Sequence, residues 1–198
     1  MKKKVIIVAV IILILTVWGI QVYTFNKKYP DSKREVYNMG EMVPFEKDVV
    51  YLVSMEGYEV RVDESTICTY EEFLEKYNVS AEKKKEIDEY YMAPPQKIYD
   101  IVITLKNNKS TAEGVYFAEW LVQSNDIYID FNEMLFSAAN PDIPGSAVAL
   151  RDNTEMQFHL TYNLREERFT KKAWSNIENY KMWLTITDYP KKKMIALN

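Results

Sequence analysis

Sulfur and imidazole chemistry have almost no material in this chain. Its 198 residues hold one cysteine, Cys68, and one histidine, His159. Disulfides need cysteines in pairs, so a domain exposed outside a membrane must here be held by its core alone. No Cys/His cluster of zinc spacing occurs. A Ser-His-Asp or Cys-His constellation would need the single histidine, and no G-x-S-x-G elbow accompanies it. With five glycines there is little room for phosphate-cradling loops, and neither a Walker loop nor a dinucleotide fingerprint is present. No repeat of fixed period and no low-complexity segment appears.

What is present first is an apolar run, residues 5–22 (VIIVAVIILILTVWGIQV), preceded by Lys2, Lys3 and Lys4 and followed by Lys27 and Lys28. Extended to Phe25 it makes about 31 Å of helix, the thickness of a hydrocarbon core of about 30 Å. Residues 1–25 read as a single-pass transmembrane signal anchor. A cleaved signal peptide would need small residues after the run, and residues 19–26 read GIQVYTFN. Cationic flanks stay cytoplasmic, so the amino terminus is expected inside and the carboxy-terminal domain outside. Trp18, Tyr23 and Phe25 lie where an interfacial aromatic belt belongs. Residues 26–38 (NKKYPDSKREVYN) are polar and read as a stalk, leaving residues 39–198 as one extracytoplasmic domain.

Setting aside Lys2, Lys3 and Lys4 leaves 22 basic residues against 29 acidic ones, a net of −7. That sign argues against nucleic acid and against docking on anionic lipid. The membrane, through the amino-terminal helix, is one expected partner. A protein or peptide at the cell surface is the other.

Strand signals mark residues 49–54, 58–62, 98–106, 127–131, 156–164, 181–187 and 192–197, with residues 39–46 as a first short strand or extended entry. Residues 115–123 (VYFAEWLVQ) are apolar on both alternating sets and read as a central, buried strand. In 156–164, Met156, Phe158, Leu160, Tyr162 and Leu164 share one face. His159 shares the other with Gln157, Thr161 and Asn163 and reads as a surface histidine. Residues 69–77 change period: Tyr70, Phe73, Leu74 and Tyr77 recur at helical spacing, and Thr69 with Glu72 forms a capping box. Cys68, just before the cap, reads as a packing residue placed to meet Phe73. Residues 80–91 are a looser helix that Pro94 and Pro95 must stop. Residues 132–139 are helical or irregular, and 166–179 form a charged crossing with Trp174 and Ile177 as buried candidates. Many short strands with loop signals between them predict a mainly β fold, an immunoglobulin-like antiparallel β-sandwich with one or two short inserted helices.

The segments GEMVPFE, EGYEVRV, TYEEFLEKY, IYDIVITLKNN and ITDYPKKKMIALN resemble an uncharacterised family of membrane-anchored exterior domains from Gram-positive bacteria. The similarity extends loosely to telokin-like, immunoglobulin-fold immunoprotective extracellular domains. It spans most of residues 39–198, implies a fold, and brings no catalytic residues.

Asp126, Asp130, Glu133, Asp142 and Asp152 crowd one region, and such oxygen ligands suit calcium. They lack EF-hand spacing and read as loop acids at strand ends. A carboxylate pair for glycoside hydrolysis is defined by a distance in space, which no spacing along the chain singles out. Trp120 and Trp183 read as core. Trp174, beside Phe169, Lys171 and Lys172, reads as buried, with a partner anchor as the other reading. The expectation is a membrane-anchored, non-catalytic binding or accessory module with no catalytic, cofactor-binding or metal residues and no cofactor. The rival is a cell-envelope hydrolase using acidic residues.

Overall fold

The computed structural model describes residues 2–28, 32–50, 53–91, 94–110, 112–124 and 127–197. The chain divides between Ser32 and Lys33 into two compact units. The first is α1, Lys2–Lys28, a helix of 27 residues and so about 40 Å long. Among the described residues it is the one helix long and apolar enough to cross a membrane. Its hydroxyls bond within the helix: Thr16 Oγ1 donates to the Ile12 carbonyl at 2.8 Å and Thr24 Oγ1 to that of Ile20 at 2.7 Å. Neither therefore needs water, which suits an apolar solvent. The helix continues past Phe25 to Lys27 and Lys28, cations at the end where the helix dipole favours them.

The second unit opens with β1 (Lys33–Tyr37), β2 (Val43–Pro44), β3 (Val49–Val50), β4 (Val53–Ser54) and β5 (Tyr58–Thr69), then α2 (Tyr70–Lys76) and α3 (Ala81–Tyr90). Next come β6 (Lys97–Asn107), β7 (Val115–Tyr116), β8 (Leu121–Gln123), β9 (Tyr128–Ile129) and α4 (Glu133–Ala139). β10 (Ala147–Val148), β11 (Thr154–Leu164), α5 (Lys171–Trp174), β12 (Trp183–Thr185) and β13 (Lys191–Ala196) complete it. One main sheet runs β11-β6-β5-β2 and is antiparallel throughout. The other runs β1-β13-β12-β8-β9. A single core joins them, with Val60, Val62, Ile101, Ile103, Phe158 and Leu160 from the first and Val122, Ile129, Leu184 and Ile195 from the second. On the outer face of the antiparallel sheet a smaller cluster gathers Tyr70, Phe73, Ile87, Ile98 and Leu135, where α2, α3 and α4 lie.

The expected wholly antiparallel, mainly β sandwich is thus met only as far as sheets around a shared core. The unit is mixed α/β, and β1 pairs with β13 in parallel. β1 falls inside the segment read as a stalk. It is an edge strand, charged at Lys33, Arg34 and Glu35 and with Val36 54% exposed, so it carries no burial period to read.

Residues 115–123 also depart from expectation. β7 pairs with β10 and β8 with β12, and a 3-10 turn over Phe117–Glu119 separates them. The turn sends both Phe117 and Trp120 inward, and their rings meet at 5.1 Å. That is why both alternating sets look apolar. Trp183, by contrast, is half-buried, with Lys181 over its ring.

β5 runs well past Val62 because of a bulge between Val62 and Glu64. Before it, Val60 and Val62 pair with Leu105 and Ile103. After it, Ser65 and Ile67 oppose Ile101 and Tyr99. The extra residue, Asp63, re-phases the strand, so an alternation counted from Tyr58 fails halfway. β13 lies between β1 and β12. On it Lys193 is 1% exposed, 2.7 Å from Asp48 Oδ2 (2% exposed), and donates to the Pro44 carbonyl at 2.6 Å. A charge from one sheet is thereby tied to the edge strand of the other.

Two outcomes follow for full-length protein in detergent micelles. The capping box is present, with Glu72 N donating to Thr69 Oγ1 at 3.2 Å and Thr69 N to Glu72 Oε2 at 2.7 Å. Thr69→Ala should lower stability to urea by about 1 kcal/mol; an unchanged midpoint would argue against the cap. Deleting residues 191–198 removes a doubly paired strand and buried Met194, Ile195 and Leu197. At about 1.5–3 kcal/mol per large apolar side chain, the product should not fold. Cooperative melting near the full-length midpoint would show that strand to be peripheral.

Candidate functional site

Asp100 lies in the middle of β6, its side chain 1% exposed. It points to the face covered by α2, and its neighbours arrive from two other elements. Lys76 Nζ, from the last turn of α2, stands 2.7 Å from Asp100 Oδ2. The Tyr77 hydroxyl donates to the same oxygen. His159 of β11 brings Nδ1 to 3.1 Å from Asp100 Oδ1 and into contact with the Tyr77 hydroxyl. The set closes with a proton on Nδ1 facing Asp100, leaving Tyr77 free to donate to Oδ2.

Burial alone would push the Asp100 carboxyl up. The contacts with His159, Lys76 and Tyr77 outweigh it and hold the group below its ordinary value of 3.8. Burial, then the bond and charge of Asp100, push the Tyr77 phenol up.

His159 is therefore not a plain surface histidine. Its face of β11 alternates as expected, but helices cover that face, and its side chain is 26% exposed. The Asn140 side-chain amide pins its backbone, accepting from His159 N at 3.0 Å and donating to His159 O at 2.9 Å. Two residues on, the Asn132 backbone N donates to the Thr161 carbonyl at 2.9 Å. The chain around α4 thus occupies the free edge of β11. Tyr77 reads in the sequence only as part of the packing face of the helix, and Asp100 and Lys76 stand in no motif. The available signal was one acid inside an otherwise β-branched and apolar strand, IYDIVITL.

Chemically this cluster binds its own members. Asp100 is sealed, and burial followed by the Asp100 charge pushes the Cys68 thiol up to about 11, so it is not a ready thiolate. Cys68 instead joins the apolar cluster that contains Phe73.

Open, unspent groups lie elsewhere. A cleft of about 440 Å³ is lined by Tyr90 and Tyr91 at the end of α3, residues 129–134 from β9 into α4, and Asn163, Arg165 and Arg168 at and beyond the end of β11. Tyr91 donates to Asn132 Oδ1 at 2.7 Å, fixing one wall. The Asn163 Oδ1 atom is buried without a hydrogen-bond partner. Arg168 Nη1 reaches the Tyr128 carbonyl at 3.3 Å, and Arg165 Nη1 stands 3.7 Å from Glu167.

Of the acidic residues noted in the sequence, Asp130 and Glu133 line this cleft, and Glu133 Oε1 accepts from Ser146 N at 3.1 Å. Asp142 and Asp152 are exposed on turns outside it, and Asp126 lies outside the described residues. Among the described residues no three His, Cys, Asp or Glu side chains gather as metal ligands. Trp174 is half-buried, its ring 5.7 Å from that of Phe169, with Lys97 over it.

The Asp100 cluster carries a pH signature. A carboxyl with a lowered folded-state value stabilises the fold above its unfolded value and loses that contribution as pH falls through the folded one. Asp100→Asn in full-length protein should cost about 2–3 kcal/mol at pH 7. The gap to the unaltered protein should shrink as pH drops below about 4. Paired urea titrations at several pH values measure it, and a gap independent of pH would show that the Asp100 charge is not what matters.

No curated protein and no solved structure matches the chain. A family model does, that of the Domain of unknown function (DUF5028), over residues 34–193. The match begins inside β1 and ends inside β13, the two strands that pair in parallel. The match begins ahead of residue 39, inside the segment read as a stalk. The chain belongs to the DUF5028 family.

Proposed function

We propose that the protein is a membrane-anchored, non-catalytic binding or accessory module, held by α1 with its amino terminus in the cytoplasm and its second unit on the extracytoplasmic side. The lysines before the apolar run support the orientation. The single cysteine and the resemblance to exterior domains of Gram-positive bacteria support that cell surface. The two-sheet core supports a distant immunoglobulin-like kinship. The observation that carries the binding reading is a contrast between two sites. The most elaborate polar constellation, around Asp100, is buried and spends its hydrogen bonds on itself. The cleft beside Arg165 and Arg168 offers donors and aromatic walls to a ligand. Its partner is an exported peptide or another surface protein.

A hydrolase reading has one observation of its own, that Asp130 and Glu133 line the same cleft. Glu133 is already engaged by the Ser146 backbone, which weakens it as a free acid or base. Two measurements test the proposal. Protease added to intact, wall-stripped cells should remove a carboxy-terminal tag, and full protection would refute the orientation. Purified full-length protein should turn over neither fluorogenic glycosides nor fluorogenic peptides. Turnover abolished by Asp130→Asn would establish the hydrolase instead.

A further inference from the structure

The cleft at the end of β11 has a chemical shape that names a ligand class. Arg165 has extended backbone angles, φ −122 and ψ 130, so it continues the strand and falls on the same face as Asn163. Arg168 closes the 3-10 turn Glu166–Arg168 that follows. Two guanidinium groups and one carboxamide are thus delivered to one cleft by six residues of chain. Arginine presents a planar fork of N–H donors matched to a carboxylate. The internal engagements of both side chains, at 3.3 Å and 3.7 Å, are long, and each guanidinium carries five N–H donors in all.

Asn163 Oδ1 is enclosed by protein, so Asn163 lines the cleft through the rest of its side chain. Tyr90 and Tyr91, with rings 4.9 Å apart, and Phe131 add apolar surface on the remaining sides. Asp130 and Glu133 on the lining offset the two arginines, which disfavours a phosphate carrying more than one charge and suits a single carboxylate.

We infer that this cleft receives a carboxylate flanked by an apolar side chain, as at the carboxyl terminus of a peptide. Arg165 and Arg168 take the carboxylate, and the tyrosines and Phe131 meet the side chain. A cleft of about 440 Å³ holds one or two residues of such a chain. A free amino acid carries the same groups, with an ammonium in place of the amide. The assignment deepens the binding-module reading and rests on it.

The test is calorimetric titration of full-length protein in micelles with N-acetyl-alanyl-phenylalanine, its carboxy-terminal amide and free phenylalanine. The peptide acid should bind saturably, with the amide at least about tenfold weaker. Arg165→Gln with Arg168→Gln should weaken the acid by a similar factor while leaving the melting curve in place. Tighter binding of free phenylalanine, with the same response to the arginine variants, supports the chemistry and assigns an amino-acid source. No saturation up to about 10 mM of either acid, equal affinity for acid and amide, or folded arginine variants that bind unchanged would each overturn the assignment. Those outcomes leave the module reading to its own tests. Hydrolysis of the peptide during titration would sink both.

Discussion

A carboxylate sealed beneath helices has to be neutralised where it sits, or the helices cannot close over it. Asp100 imposes that constraint on this fold. Its partners come from the end of α2 and from β11, so one charge connects helix docking to strand pairing. α2 has seven residues, far too few to persist alone. It is held by the Thr69 cap at its start, by Tyr70 and Phe73 in the outer cluster, and by Lys76 and Tyr77 at its far end. Tyr70 donates to Asp88 at 3.0 Å and so fastens α3 to α2.

A second buried charge does comparable work between the sheets. Lys193 is surrounded by core, yet its ammonium meets Asp48 and the Pro44 carbonyl. An apolar residue there would fill space equally well. The pair adds a polar contact that only one arrangement of β2 against β13 satisfies. Asp63 shows the same economy at the β5 bulge, where its Oδ2 accepts from Thr104 Oγ1 at 2.6 Å. The bulged residue gains a partner from the adjacent strand and stays on the outer face.

These arrangements explain why the cleft, and not the histidine, is the more open polar surface. α2 and the chain around α4 consume the polar face of β11 from His159 to Thr161. Beyond that point the cover ends, and Asn163 and Arg165 continue the same face into the cleft. The cleft is therefore built where the end of β11 meets the end of α3 and the start of α4.

Local sequence carries whatever depends on near neighbours. The apolar run of α1, the Thr69–Glu72 cap and the two faces of β11 are periods and pairs spanning a few residues, and each appears where those periods put it. Even there Met156 is 41% exposed, because the strand outruns the core at that end. The parallel pairing of β1 with β13, the phase change at Asp63, the partial covering of His159 and the meeting of Asn163, Arg165 and Arg168 with Tyr90 and Tyr91 arise in the tertiary structure alone. Each depends on which distant segment arrives alongside, and no local period encodes that. A polar face looks the same in sequence whether water or a helix covers it.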